Sequence, residues 1–197
     1  MDDLKETASQ TAGPYVLIGL APWAAGFKIY DHELGHDIAG PNAAGERIRV
    51  QGCVMDGMNS PIRDVLMEVW QANANGHFAH PEGGGSVEDG FRGWGRVVPD
   101  FETGEWSFES INPGSTGDGH APHISLWLVA RGINIGLHTR MYFADEATAN
   151  AKDAVLNKIE WENRRATLIA GRHDGELPTY RFDIRLQGDG ETVFFDV

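Results

Sequence analysis

The chain has 197 residues, 41% of them hydrophobic, and a formal charge of −13 from 29 acidic and 16 basic residues. This length suits one folded domain over residues 1–197, which can bury a core without disulfide or metal support. The acidic balance excludes nonspecific binding to nucleic acid or to an anionic membrane as the main function, because both need a cationic face. A local cationic pocket for an anionic ligand is compatible with it.

The start of the chain contains Asp2, Asp3, Lys5 and Glu6 and lacks the basic start and apolar run of a signal peptide. The apolar stretches are far shorter than a membrane span. We therefore predict a cytoplasmic protein. The single cysteine, Cys53, has no partner for an intrachain disulfide and is predicted to be a small core residue.

Residues 1–45 show little periodicity and are predicted to form an N-terminal arm that wraps the rest of the fold or a partner. Residues 47–54 follow, with Ile48, Val50 and Val54 alternating with polar side chains, which is typical of a strand with one buried face. Alternation, or a short apolar run, predicts further strands at 65–71, 95–98, 105–109, 124–130, 139–143, 180–187 and 192–195. The run at 124–130 is apolar on both faces, which predicts a central strand.

Residues 145–159 break this pattern and predict one or two short helices, with Asp145 as a possible N-cap. Residues 162–172 predict another helical turn. Seven or eight short strands in one domain predict an all-β, two-sheet β-sandwich. Neither composition nor periodicity names a function.

Residues 32–36 match the HExxH pattern, in which two histidines one helical turn apart bind zinc and the glutamate acts as a base. The pattern would use His32, Glu33 and His36. It requires a stable helix, and Gly35 lies inside it. The glycine favours a chance match in a surface turn. A zinc hydrolase remains an alternative function.

Two other places contain histidines at ligand-like spacing. His77 and His80, three residues apart in a glycine-rich loop, suit either one metal ion or two solvated loop positions. His123 precedes the predicted strand 124–130, where a His-x-His pair would present two imidazoles on one face. Ser125 occupies the second position, and serine is a poor iron ligand.

Seven stretches, in order over nearly the whole chain, carry a resemblance to the intradiol ring-cleaving dioxygenases, and to their α chains in particular. They read SQTAGPY at 9–15, LMEVWQA at 66–72, APHI at 121–124, ARGINI at 130–135, LHTRMYF at 137–143, YRFDI at 180–184 and GETVFFD at 190–196. The resemblance implies a β-sandwich with an N-terminal arm. It also implies an assembly of paired α and β chains that cleaves a catechol ring with O2 in aromatic catabolism.

In this family the β chain holds a nonheme ferric ion with two tyrosines and two histidines. His123 matches the first of those histidines, but Ser125 stands at the second, and residues 78–94 and 115–119 contain no tyrosine. The resemblance therefore implies that Fe(III) is bound by the partner β subunit rather than by this chain. This chain would then contain no catalytic residue, and His123 would be vestigial.

The resemblance further implies an aromatic carboxylate substrate, whose charge must be met. Arg131 follows the predicted strand 124–130, and a guanidinium pairs with a carboxylate through two parallel hydrogen bonds. The resemblance implies that this arginine lies in the active site between α and β. The alternative is that Arg131 forms a salt bridge at the rim of the fold. The same resemblance assigns to that pocket a segment of the arm comprising Thr11, Gly13, Pro14 and Tyr15. The alternative to a pocket role for Tyr15 is that its ring packs on the core and anchors the arm.

His138, Arg140 and Tyr142 fall at alternate positions, so they share one face of a strand. They predict either a polar network near a pocket or a structural ion-pair face. The resemblance thus implies a dioxygenase subunit that is inactive alone. The alternatives are a self-sufficient dioxygenase, the zinc hydrolase and a carrier without chemistry.

Overall fold

The computed structural model describes residues 8–33, 35–83, 85–117 and 119–196. The chain enters through α1 (Pro14–Leu20), whose first helical position is a proline, and a 3-10 helix (Pro22–Ala25). Within the described ranges, no helix is long and apolar enough to cross a bilayer.

In the described ranges, nine strands follow the arm. They are β1 (Arg47–Met55), β2 (Leu66–Gln71), β3 (Trp94–Val97), β4 (Glu105–Ile111), β5 (His123–Val129), β6 (Leu137–Phe143), β7 (Ile169–His173), β8 (Thr179–Arg181) and β9 (Ile184–Arg185). Four short helical segments separate β6 from β7: a 3-10 helix (Ala144–Glu146), α2 (Ala147–Asn150), a 3-10 helix (Leu156–Lys158) and α3 (Glu162–Ala166).

The strands are hydrogen-bonded in the order β3-β2-β5-β6-β7-β8-β1-β4, with β9 also beside β1. The pairs β6–β7, β1–β8 and β1–β9 are parallel and the others antiparallel. The two ends of this order, β3 and β4, are joined by residues 98–104, so the sheet curls until it is nearly closed. The mostly-β prediction is confirmed, whereas a division into two separate sheets is not.

The main core lies inside the curled sheet. Ile48, Val50 and Trp106 reach it from β1 and β4, while Met67 and Leu126 reach it from β2 and β5. All five are at most 2% exposed. Burying a side chain of this size contributes roughly 1.5–3 kcal/mol to the free energy of folding. The alternating apolar side chains of these strands therefore stabilise the curled sheet.

The sequence placed six strands correctly, from β1 to β6, and put β5 between two neighbours as predicted. The prediction of one strand over 180–187 was wrong, because the pairing with β1 breaks between β8 and β9. Residues 192–195 form no strand, and their β-pairing is one isolated bridge from Phe195 to His138. The helical turn predicted over 162–172 ends at Ala166, and β7 follows.

Two side-chain predictions were also wrong. Cys53 is not a core residue, because Val50 and Val54 take the inward positions of β1 and leave the cysteine half-buried on the opposite face. Asp145 caps no helix. Its carboxylate instead accepts a 2.8 Å hydrogen bond from the hydroxyl of Tyr180 and pairs with Arg172.

Candidate functional site

Thr11 fastens the N-terminal arm to the turn that follows β5. Its hydroxyl accepts a hydrogen bond of 2.8 Å from the backbone N–H of Gly132 and lies 3.3 Å from the carbonyl oxygen of Ala130, to which it can donate. Gly132 has a φ of +87°, a conformation that favours glycine, so the turn keeps the shape that presents this N–H. The contact brings the arm beside Arg131.

The arm then turns into α1, which is anchored by a leucine rather than by its tyrosine. Leu17 is 5% exposed and packs with Ala21 against Leu66, beneath the arm. Tyr15, in the first turn of α1, is 82% exposed. Its ring therefore does not anchor the arm on the core of this chain, and its hydroxyl faces outward.

Arg131 stands at the same end of the sheet, with its side chain 67% exposed. Its Nε donates a 2.8 Å hydrogen bond to Oδ2 of Asp64, and its Nη2 donates to the same oxygen. Among the residues that the structure covers, Nη1 has no hydrogen-bond partner. Sequence reasoning did not find Asp64, which lies in an irregular turn before β2 and belongs to no motif.

The five sequence-predicted site residues thus lie on two adjoining segments at one end of the fold. Thr11 and Arg131 are drawn together directly, and Gly13, Pro14 and Tyr15 continue from Thr11. All three side chains that carry a polar group there are exposed. The face is open, and it can offer a cation and hydroxyl groups.

His123 is 7% exposed at the start of β5. Its Nδ1 lies 2.8 Å from the carbonyl oxygen of Ala121, which can only accept, so this nitrogen carries the proton. Burial lowers the pKa of His123 to about 4, and the charge of Arg140 acts in the same direction. The imidazole is therefore neutral at physiological pH and bound to the backbone.

Tyr142 lies across the ladder from His123, with ring centroids 5.7 Å apart. Its hydroxyl donates a 3.1 Å hydrogen bond to Oδ1 of Asp153. Burial raises the pKa of Tyr142 to about 12. Burial by itself would raise the pKa of Asp153 as well. Its carboxylate accepts hydrogen bonds from backbone N–H groups, and these hold that pKa below its ordinary value.

These residues do not fit a ferric ion. The ferric site that the sequence resemblance implies would use two phenolates and two imidazoles. Here Ser125 replaces the second imidazole, and Tyr142 is a buried phenol committed to Asp153. The described ranges contain no group of three or more histidine, cysteine, aspartate or glutamate side chains placed to hold a metal.

The two other histidine pairs are also tied to local structure. The described part of 32–36 forms no helix, so His32 and His36 are not set one helical turn apart, and His36 lies 3.3 Å from Glu33. The ring of His77 contacts the Ser86 carbonyl at 3.3 Å, and that of His80 accepts from the backbone N–H of Glu82 at 3.2 Å.

A cavity of about 780 Å³ opens on the outer face of β2, β3, β5 and β6. Its lining includes Ser125, His138 and Arg140 but none of the five predicted site residues. His138 and Arg140 make no ion pair within the described part of the chain. Two of the three residues predicted to share this strand face, His138 and Arg140, thus line the cavity, whereas Tyr142 is buried and bonded to Asp153.

The sequence matches the family model described as Dioxygenase over residues 24–188. Over 198 residues the chain is 52% identical to a protocatechuate 3,4-dioxygenase alpha chain from Pseudomonas putida, covering 98% of this chain and 97% of the relative. It is 41% identical over 201 residues to an alpha chain from Burkholderia cepacia, covering 100% of both. The chain therefore belongs to the intradiol dioxygenase family.

Within that family, it matches the alpha chains of protocatechuate 3,4-dioxygenase along its whole length. A beta chain of the same enzyme from Burkholderia cepacia is 33% identical, over 82% of this chain and 74% of the relative. The dioxygenase domain of a carbohydrate-binding fusion protein from Streptomyces sp. SirexAA-E has a TM-score of 0.57 and 22% identity, covering 85% of this chain and 93% of that one. This last likeness concerns the fold alone.

Proposed function

We propose that this chain is the alpha subunit of a protocatechuate 3,4-dioxygenase and that it completes an active site whose iron is held by a beta subunit. The observation that carries the proposal is the hydrogen bond from the Gly132 N–H to the Thr11 hydroxyl, called the Thr11 clamp below. It sets the exposed Arg131 and Tyr15 on one open face. Such a face suits a site that a second chain closes. The full-length likeness to alpha chains and the weaker likeness to a beta chain support the pairing.

The iron belongs to the partner in this proposal because the chain's own residues are unsuited to it. His123 is a neutral, backbone-bonded imidazole with a serine where a second histidine is needed. Fe(III), when bound by the beta subunit, would supply the activation of the catechol and of O2. We also propose that residues 1–197 form one domain and that the complex is cytoplasmic.

The substrate would be 3,4-dihydroxybenzoate, which is an anion at physiological pH. Arg131 would bind its carboxylate through the Nη1 edge, while Asp64 holds the opposite edge of the guanidinium. The Thr11 clamp would fix the turn that carries Arg131, and the Tyr15 hydroxyl would add a polar contact at the same wall. The chain's own contribution is thus binding and orientation rather than chemistry at the ring.

The overall reaction balances without any other reactant. The bond between the two hydroxyl-bearing carbons breaks, both atoms of O2 enter the product, and 3-carboxy-cis,cis-muconate forms. No external reductant is consumed. What the alpha chain must supply is a fixed position for the carboxylate end of the substrate, because orientation of bound groups lowers the barrier of the step that follows.

The test is co-expression with a beta chain, followed by iron analysis and oxygen-uptake kinetics with 3,4-dihydroxybenzoate. In the complex, Arg131→Ala should raise KM about tenfold or more, the size expected for losing a charge-assisted hydrogen bond, and leave iron content unchanged. Arg131→Lys should recover part of the loss, because it restores the charge but not the planar fork. Arg63→Ala, at an exposed arginine of the preceding turn, is the matched control.

Three results would contradict the proposal. An unchanged KM and kcat in Arg131→Ala would remove the substrate role of that residue. Stoichiometric iron with ring-cleaving activity in the chain expressed alone would favour the self-sufficient dioxygenase. Stoichiometric zinc and loss of a hydrolytic activity in Glu33→Gln would instead favour the zinc hydrolase.

A further inference from the structure

The outer-face cavity, defined by Trp70, Trp94, Trp127 and Arg140, is distinct from the face that carries Arg131. Trp127 and Arg131 are four positions apart on β5 and its continuation, which corresponds to about 13 Å at the rise of a strand. A volume of about 780 Å³ falls in the range of small-molecule sites. The Arg131 site therefore does not account for this cavity.

The cavity exists because a small residue sits between large ones. Ser125 of β5 pairs with Trp70 on β2 and with Arg140 on β6. Directly paired side chains on one face stand about 5 Å apart, so the short serine leaves a hollow between the indole and the guanidinium. Apolar side chains that also line the cavity are those of Val155, Ile159, Val193 and Phe195.

The cationic groups of the cavity are not neutralised within it. Arg140 and Lys158 both line it, and no carboxylate of the described residues forms a salt bridge with either. Of the two acids in the lining, Glu68 is paired with Arg96 at 2.9 Å, which leaves Asp196. With Glu68 paired to Arg96, Arg140 and Lys158 exceed the one remaining acid of the lining by a single formal charge, in a chain whose formal charge is −13. Such a contrast favours an anionic occupant.

We propose that the outer-face cavity is a second, iron-independent binding site for a small aromatic carboxylate. The aromatic ring lies among the indoles of Trp70, Trp94 and Trp127, and the carboxylate meets Arg140 and Lys158. No bond is made or broken there. The site goes beyond the proposed function, since a chain that only binds at this cavity would still do so if Arg131 had no role in ring cleavage.

The test uses the purified complex with its beta chain, or the full chain if no complex forms, titrated with benzoate by calorimetry and equilibrium dialysis. Benzoate lacks the catechol hydroxyls, so it is not cleaved during the measurement. We expect one benzoate per alpha chain in addition to any bound at the iron-bearing site. Benzamide, the neutral analogue, should bind this additional site about tenfold more weakly, because the charge-assisted hydrogen bonds are lost.

Two variants identify the location of the additional site. Arg140→Gln should weaken it about tenfold or more, and Lys158→Gln, in the 3-10 helix Leu156–Lys158, should weaken it by a smaller factor. Neither variant should change iron content or the KM for 3,4-dihydroxybenzoate. Arg131→Gln, the matched control at the other end of β5, should leave the additional site intact.

The proposal fails if benzoate binds only at the iron-bearing site. It also fails if the additional binding persists unchanged in both Arg140→Gln and Lys158→Gln, which would place it elsewhere. Equal affinity for benzoate and benzamide would contradict the selection of an anion.

Discussion

Asp64 holds Arg131 by one edge only. Its Oδ2 accepts from Nε at 2.8 Å and from Nη2 of the same guanidinium, so the edge that carries Nη1 points away from the acid. An acid in this position has two opposite effects on a bound carboxylate. It orients the guanidinium, and it also weakens the attraction by its own negative charge.

The two effects can be separated by a pair of substitutions in the complex. Asp64→Asn keeps an oxygen that accepts from Arg131 but removes the negative charge, so we expect KM for 3,4-dihydroxybenzoate to fall about two- to fivefold. Asp64→Ala removes the orientation as well, and KM should rise. Oxygen-uptake kinetics at low ionic strength, where exposed charges are screened least, would measure both. A rise in KM of the same size in both variants would refute this account of the charge.

The second prediction concerns the clamp on the arm. Thr11→Val keeps the shape of the side chain but removes the hydroxyl that bonds to Gly132 and Ala130. We expect a loss of roughly 1 kcal/mol in the docking of the arm, because each such hydrogen bond contributes on that order. Hydrogen exchange at Gly132 should quicken and KM should rise severalfold.

Thr11→Ser is the matched control for that prediction, since it restores the hydroxyl without the methyl group. It should return both the exchange rate and KM close to the values of the unchanged complex. If Thr11→Val alters neither, the arm is held by the packing of Leu17 against Leu66 rather than by this hydroxyl.

The third prediction concerns Asp153, which is fully buried beneath Tyr142. Its two oxygens accept from the backbone N–H groups of Ala121, Val155 and Leu156 at 2.8 Å each. In Asp153→Asn an amide NH2 must face at least one of these donors, so the free energy of unfolding should fall by about 2–3 kcal/mol. Urea unfolding of the full chain measures this, with the exposed Asp189→Asn as control. Equal midpoints in the two variants would contradict it.

The sequence predicted a strand correctly where the alternation of apolar and polar side chains within the segment showed which face is buried. The alternation of Ile48, Val50 and Val54 states which face of β1 is buried, and the strand lies where predicted. β7 was missed because Ile169–His173 has too few apolar side chains to alternate clearly. Phe195 was taken for a strand residue, but it meets His138 through one isolated bridge, which no local pattern distinguishes from a ladder.

The candidate site shows the same limit. Arg131 and the arm could be named from a family resemblance, but their contact spans 121 positions from Thr11 to Gly132, a separation that periodicity does not reach. Asp64 follows no motif, and Asp153 gains its partners only when residues after α2 fold back on β6. These contacts are set by tertiary packing, so a single sequence does not reveal them.

The fourth prediction follows from the burial of His123. Its pKa is lowered from 6.5 to about 4, mainly by desolvation, with Arg140 and His120 adding like charge and Asp153 opposing them. A folded-state pKa below the unfolded value means that the unfolded chain takes up the proton first as the pH falls. The stability associated with neutral His123 is therefore fully present above pH 6.5 and is lost as the pH falls toward 4, by about 3 kcal/mol in total.

This window separates the histidine from the buried acid. The lowered pKa of Asp153 makes its contribution present above the ordinary pKa of an aspartate, about 3.9, and lost only below it. Unfolding free energies of the full chain between pH 4 and 7 should thus slope upward, and His123→Gln should flatten that slope because glutamine does not titrate. His36→Gln, whose side chain is 75% exposed in the native protein, should leave the slope as it was. An unchanged slope in His123→Gln would mean that the buried imidazole is not the group responsible.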